Sequence, residues 1–377
     1  MLRKILLKSL ISFIIASQIL NIAVFAEVGT KSVSVSAECA VLIDAGSGQV
    51  VYEKNADKKQ SMASTTKIMT ALVALENGDI DGKVRFPKEA VGVEGSSIYA
   101  VANEEFTLRE LLYALMLRSA NDAAAAIAIV VGGSIEGFAD MMNEKAAELG
   151  LENTHFDNPH GLDSKEHYTT AKDLAKIAAA ALKNELFKEI VGTKKYTISL
   201  NGEESKRLLV NHNRLLKSYD GCIGVKTGFT KKSGRCLVSA AQREGLTLIC
   251  VTLNAPDDWN DHRKMLDYGF SLIENKSFDG RSVSGLVPVV GGNAEYIQYA
   301  GCGQVSFTLK KGQGEIKTAV ELRSFYYAPV NEGDVIGRIV YTLNGNELGS
   351  LPIKAVSQVQ KKKAKRTFWQ WLLSLFS

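Results

Sequence analysis

The feature that most limits the fold is a change of period near residue 195. Ahead of it, four segments carry the spacing and stop signals of helices. In "STTKIMTALVALENG", Ile68, Leu72 and Leu75 recur on one helical face and Gly78 stands as a stop, so a helix is predicted at or near Ser64. "TLRELLYALMLRSANDAAAAIAIVVG" predicts a second, opened by Thr107 with Glu110 at the spacing of a capping box. "IEGFADMMNEKAAELG", ending at Gly150, and "TTAKDLAKIAAAALKN" supply two more. Beyond residue 195 the chain reads as strands and turns. "CIGVKTGFTKKSGRCLVSAAQREGLTLICVTLNA" predicts two or three adjacent strands, joined at Lys231 to Gly234 and at Glu244-Gly245. A hairpin is also expected upstream, in "AVLIDAGSGQVVYEKN", around Ala45-Gly46-Ser47-Gly48. The expected class is α+β, a helical cluster on an antiparallel sheet. "HRKMLDYGFSLIEN" reads as its closing helix, and the glycine-punctuated β runs from about 278 to 357 as a small all-β domain. At 377 residues, 46% of them hydrophobic, the chain can bury both cores.

The ends differ from the body. Arg3, Lys4 and Lys8 precede the apolar run "LISFIIASQILNIAVFA", and Val24-Phe25-Ala26 resembles a cleavage site, so residues 1–26 read as a secretory signal. Five more cations lie in "KKKAKR", Lys361 to Arg366. Without these eight, the net charge of +4 becomes about −4 for residues 27–360, and no nucleic-acid partner is expected. Cys39, Cys222, Cys236, Cys250 and Cys302 are odd in number and contain no Cys-x-x-Cys pair, so they signal neither a disulfide framework nor a zinc site.

Three short motifs carry the chemistry. Ser64 and Lys67 stand three apart in "SMASTTKIM", on one face of the predicted helix. A serine hydroxyl needs a base, and a lysine can be one if burial and nearby positive charge strip its proton. The spacing alone is weak, being expected by chance roughly once or twice in a chain of this length. Ser119-Ala120-Asn121 offers a hydroxyl and an amide two residues apart, at a turn within or after an apolar helix. Lys226-Thr227-Gly228 offers a cation and a hydroxyl on a strand, with a glycine allowing close approach, suited to an anionic end of an extended peptide. A second Ser-x-Asn, Ser199-Leu200-Asn201, falls where Asn201-Gly202 predicts a hairpin turn.

The three motifs in this order are those of penicillin-binding proteins and serine β-lactamases. The chain closely resembles low-molecular-weight penicillin-binding proteins that act as serine D-alanyl-D-alanine carboxypeptidases, from about residue 34 to the end. "AVLIDAGSGQVVYEKNAD", Gly95-Ser96-Ser97, "LMLRSANDAAAAIA", "NTHFDNPHGLD", "VKTGFT" and "MLDYGF" carry the likeness. It departs at Met62, where the family often has proline, and at Phe229, where some members have histidine. The resemblance implies a β-lactamase/DD-peptidase-like domain at 27–275, a β-rich domain at 276–358, and no cofactor. It implies that Ser64 attacks the carbonyl between two terminal D-alanines while Lys67 takes its proton. The backbone N–H groups of Ser64 and Phe229 would form the oxyanion hole, and Ser119, with Lys226 behind it, would return a proton to the departing D-alanine. Asn121 would hold Lys67 and the substrate amide, Lys226 and Thr227 the terminal carboxylate, and Gly228, also substrate-binding, would allow the close approach. Peptidoglycan stem peptides and β-lactam antibiotics are the implied ligands. Two alternatives share the motifs: a serine β-lactamase, whose class A members need a Glu-x-x-Leu-Asn pattern absent here, and a non-catalytic penicillin-binding sensor.

His155, His160 and His167 lack a His-Glu-x-x-His pattern, so no metal site is expected; they read as fixing the loop "NTHFDNPHGLDSKEHYTT" near the cleft. The tail, residues 359–377, reads as a basic amphipathic helix, with Lys361, Lys362, Lys363, Lys365 and Arg366 ahead of Phe368, Trp369 and Trp371. Eleven residues span about 16 Å as a helix, against about 30 Å of hydrocarbon. The expectation is an exported protein, held peripherally at the outer face of the cell membrane.

Overall fold

The computed structural model describes residues 33–199 and 206–363. The expected signal segment, the Asn201-Gly202 turn, and Lys365, Arg366, Phe368, Trp369 and Trp371 of the tail lie outside the described residues.

In the first unit β1 (Cys39–Asp44) and β2 (Val50–Lys54) form the expected hairpin. A 3-10 turn, Ala63–Thr66, leads into α1 (Lys67–Asn77), which ends at Gly78. The short hairpin of β3 (Lys83–Arg85) and β4 (Glu105–Thr107) precedes α2 (Leu108–Leu117), whose N-terminus is the capping box of Thr107 and Glu110. The single helix expected from Thr107 to Gly132 is two. It breaks at Arg118 to Ala120, where Ser119 has φ 59°, and resumes as α3 (Asn121–Gly132). Helical periodicity runs through the break, but the N–H of Asn121 is taken by the Ser96 carbonyl at 2.6 Å, a tertiary bond that a continuous helix would forbid. Then come α4 (Ile135–Glu148), α5 (Ala171–Ala181), α6 (Glu185–Gly192), β5 (Lys195–Ser199), β6 (Lys206–Val210) and the single turn α7 (Leu215–Ser218).

The three later strands are β7 (Cys222–Thr230), β8 (Gly234–Arg243) and β9 (Leu246–Leu253). They complete an antiparallel sheet of order β2-β1-β9-β8-β7, so the first hairpin joins the last strands and β7 is an edge. One face, with Val41, Ile43, Val238, Ala240, Ile249 and Val251, joins the core of the helical cluster. Against the other lies α8 (Asp258–Leu272), where Gly269 admits Leu42 and Leu248; a Cβ there would sit 2.6 Å from each.

The chain runs from α8 straight into β10 (Ile273–Asp279) and a second, all-β unit: β11 (Ser284–Val290), β12 (Tyr296–Gly301), β13 (Gln304–Lys310), β14 (Lys317–Leu322), β15 (Tyr326–Tyr327), β16 (Val335–Leu343) and β17 (Asn346–Ala355). Six strands, in the order β14-β16-β17-β12-β11-β15, form its main sheet, while β10 pairs with β13. Its core gathers Val287, Val289, Ile297, Ile339, Tyr341 and Ile353. Thr308 of β13 donates to Asp44 Oδ2 at 2.7 Å and ties the two units together.

Candidate active site

Ser64 sits in the 3-10 turn rather than in the α-helix proper. Ala63, with φ 47°, bends the chain into that turn. Thr65 and Thr66 donate their hydroxyls back to the carbonyls of Met62 and Ala63, at 2.5 and 2.8 Å. The histidine-bearing loop braces it from outside. His167 Nδ1 accepts from the N–H of Asp157 at 3.1 Å, so its proton is on Nε2, donated to Thr66 Oγ1 at 2.7 Å. Burial pushes His167 down to about 4, so the ring is neutral near pH 7. Gly161, φ +87°, presses so close that a Cβ would overlap the Ala63 carbonyl. The loop therefore fixes the serine turn.

Lys67 is buried, and its Nζ reaches Ser64 Oγ at 3.0 Å, Asn121 Oδ1 at 2.6 Å and the carbonyl of His160. Its pKa lies well below the ordinary lysine value: burial is the main cause and the Lys226 charge the second, with Asp122 opposing. A neutral amine has two N–H bonds and one lone pair. Asn121 Oδ1 and the His160 carbonyl can only accept, so they take the two hydrogens, and the lone pair is left facing the Ser64 hydroxyl. Asn121 is itself held, its Nδ2 donating to the Glu94 carbonyl at 2.5 Å. Neighbouring Asp122 accepts from Ser97 Oγ at 2.6 Å and from the N–H of Ile98 at 3.2 Å, pinning the loop over the start of α3.

On the opposite wall runs the edge strand β7. Lys226 is buried, donates to the Thr227 carbonyl at 2.8 Å, and is pushed down by burial to about 7. Gly228 lies against the serine turn: a Cβ there would stand 3.1 Å from the nitrogens of both Ser64 and Thr65. Ser64, Ser96, Ser119, Thr227, Gly228 and the exposed Phe229 line one cleft of ≈ 490 Å³. The structure thus brings the three motifs to one place, from three separate segments.

Residues 26–257 match the peptidase S11 family, described as D-alanyl-D-alanine carboxypeptidase, and residues 277–361 match the penicillin-binding protein 5 C-terminal domain. The chain belongs to the peptidase S11 family. It is 36% identical over 357 residues to the D-alanyl-D-alanine carboxypeptidase DacF of Bacillus subtilis, covering 91% of this chain and 92% of that relative. With DacC of Escherichia coli it shares 31% over 369 residues, 93% and 91% of the two chains. Among solved structures, penicillin binding protein 5 from Haemophilus influenzae is similar at a TM-score of 0.67 and 29% identity, covering 88% of this chain and all of that one. The Streptomyces K15 DD-transpeptidase gives 0.61 and 39%, covering 63% and 98%.

Sequence reasoning missed the far wall of this S11 cleft, formed by His212, Arg214, Arg235, Asp258 and Trp259. Arg235, on β8, pairs through Nε with Oδ1 of buried Asp258 at 3.1 Å. The Arg214 guanidinium lies 6.0 Å from the Trp259 ring centre. Trp259 Nε1 and Asn213 Nδ2 are buried donors without a protein partner among the described residues. The wall is thus rich in donors and in positive charge. Its only sequence signal was the polar run Asn211 to Arg214, which has no motif spacing. Lys361, Lys362 and Lys363 lie far along the chain, exposed and beyond the last strand, and no single described helix is long and apolar enough to cross a membrane.

Proposed function

We propose that this S11 carboxypeptidase removes the terminal D-alanine from peptidoglycan stem peptides through an acyl-enzyme on Ser64. The observation that carries the reading is buried Lys67 Nζ at 3.0 Å from Ser64 Oγ, with two acceptor-only partners, Asn121 Oδ1 and the His160 carbonyl, to take its hydrogens. Lys67 takes the hydroxyl proton as Ser64 Oγ bonds to the carbonyl carbon. The N–H groups of Ser64 and Phe229, which Gly228 lets stand close together, meet the developing oxyanion; one such donor is worth roughly 10²–10³ in rate. Ser119, with Lys226 behind it, relays the proton held by Lys67 to the departing amine as the C–N bond breaks, which leaves Lys67 neutral again. Water, deprotonated by Lys67, then attacks the ester carbonyl, and the proton returns to Ser64 Oγ as the acyl C–O bond breaks. Penicillins enter by the same route and acylate Ser64.

The substrate's terminal carboxylate needs an accessible cation, and Lys226 is sealed in and only partly charged near neutrality. Arg235, aimed by Asp258, supplies it beside the Thr227 hydroxyl. The enzyme works outside the cytoplasm, delivered by residues 1–26 and retained by the basic tail 359–377. Removal of residues 361–377 releases active enzyme from membranes. A fluorescent penicillin and an assay of D-alanine release test the core reading: wild type scores in both and Ser64→Ala in neither. Labelling of Ser64→Ala would refute the nucleophile, and rapid penicillin hydrolysis without D-alanine release would point to a β-lactamase.

A further inference from the structure

The main sheet of the β unit buries one apolar face; its other face is polar across β14 and β16, where Arg338 pairs with Glu321 and Glu347, but apolar at the β11 end. On the inner side Val287, Val289, Ile297 and Ile353 fill the core. Pairing register identifies the outer side: Pro288 stands opposite Tyr296, Val290 opposite Tyr327, and Leu286 opposite Gln298. Val356 adjoins this row, its N–H donating to the Gln298 carbonyl. Side chains of paired residues project to the same face, and these are freely exposed: Leu286 at 66%, Tyr296 at 54% and Tyr327 at 70%. An antiparallel strand with one wet face ordinarily alternates apolar with polar. Here β11 places Leu286, Pro288 and Val290 on the wet side. An apolar row of this kind marks an interaction surface.

What borders the row indicates its partner. The chain after β17 returns to the β11–β12 turn, where Lys361 bridges to Gly292 and the Lys362 N–H donates to the Gly291 carbonyl at 2.9 Å. Lys361, Lys362 and Lys363, all exposed, therefore sit on the turn that joins Val290 to Tyr296. An apolar surface carrying two tyrosines and rimmed by three lysines matches the chemistry of an anionic bilayer surface: tyrosines favour the interfacial zone, and each basic residue near such a surface adds about 1 kcal/mol of attraction. The tail also starts from this edge, since Thr367 follows Lys363 by four residues, at most about 14 Å of chain.

We propose that the outer face of β11, β12 and β15 lies directly on anionic lipid, making the β unit itself a second membrane contact beside the tail. This rests on the reading of the tail as an interfacial anchor. A second membrane contact on the β unit would also restrict the enzyme's orientation above the bilayer.

The test is co-sedimentation of the mature chain, residues 27–377, with phosphatidylglycerol-containing vesicles and with pure phosphatidylcholine vesicles. The variants are the triple substitution Leu286→Ser, Tyr296→Ser, Tyr327→Ser and a deletion of residues 364–377. The three side chains are exposed and remote from Ser64, so D-alanine release in solution should be unchanged and serves as the check on folding. The triple variant should bind phosphatidylglycerol vesicles roughly tenfold or more weakly, the loss expected for withholding three apolar side chains from the interface. The deletion should leave weak binding that the triple substitution then abolishes. Unchanged vesicle affinity in the folded triple variant overturns the proposal. Full vesicle binding by the deletion would instead sink the tail reading while leaving the face to be judged by the triple variant. Self-association of the lipid-free protein that the triple substitution removes would assign the face to a second copy and overturn the lipid assignment.

Discussion

Arg235→Gln separates charge from chemistry at the cleft. The guanidinium is paired to Asp258 at 3.1 Å, and its side chain is 45% exposed, so its bond to a substrate carboxylate is charge-assisted but partly screened by water. A buried bond of that type contributes about 1.5–3 kcal/mol; with the discount that exposure requires, about 1–2 kcal/mol remains. That is a loss of about 5–30-fold in kcat/KM. The assay compares D-Ala-D-Ala peptides ending in a free carboxylate with the same peptides ending in an amide. Wild type should prefer the carboxylate, and Arg235→Gln should lose most of that preference through KM, with turnover of the amide unchanged. Arg235→Lys should restore part of it. Asp258→Asn, which frees the guanidinium from its anchor, should fall between wild type and Arg235→Gln. If Arg235→Gln slows both peptides equally, or keeps the preference intact, the carboxylate is held elsewhere and the assignment fails.

Two further substitutions probe the opposite wall. The folded value of about 7 for Lys226 lies below its unfolded value of 10.5, so the folded protein is penalised wherever the unfolded chain binds the extra proton. The penalty is complete below about pH 7, on the order of 5 kcal/mol, and fades as pH rises toward 10.5. Lys226→Met should therefore be more stable than wild type to urea at pH 7, with the gap closing at alkaline pH, and nearly inactive; a less stable variant at pH 7 would contradict this. Its residual acylation should also need higher pH, because a charge that drives the proton off Lys67 is gone. Gly228→Ala places a Cβ 3.1 Å from the Ser64 and Thr65 nitrogens, forcing β7 and the serine turn apart by a few tenths of an ångström. The expected result is a roughly 10–100-fold loss of kcat with little change in thermal stability; full activity would show that the two walls need not stand so close.

What could be read ahead of the structure divides along physical lines. Local signals were legible: the capping box of Thr107 and Glu110, the Gly78 stop, and the turns at 231–234 and 244–245 all depend on neighbours a few residues away. At Ser119 the sequence showed a turn within or after the helix without deciding which, because what holds the break open is the Ser96 carbonyl, more than twenty residues upstream. Arg214, Arg235 and Asp258 meet through tertiary structure alone, and no spacing could report them. The lysines expose a subtler limit. Sequence singled out Lys67 and Lys226 by their motifs, and a formal charge count scores each as a full cation. The proposed chemistry depends on the reverse. Burial of both around one cleft discharges Lys67 enough to accept a proton and leaves Lys226 able to gain or lose one near pH 7. In the proposed mechanism that same burial would withdraw Lys226 from direct service as a carboxylate anchor and leave that need to Arg235 on the next strand. Proton traffic and charge recognition would then fall to different cations. A motif that names residues but not their burial cannot distinguish the two tasks.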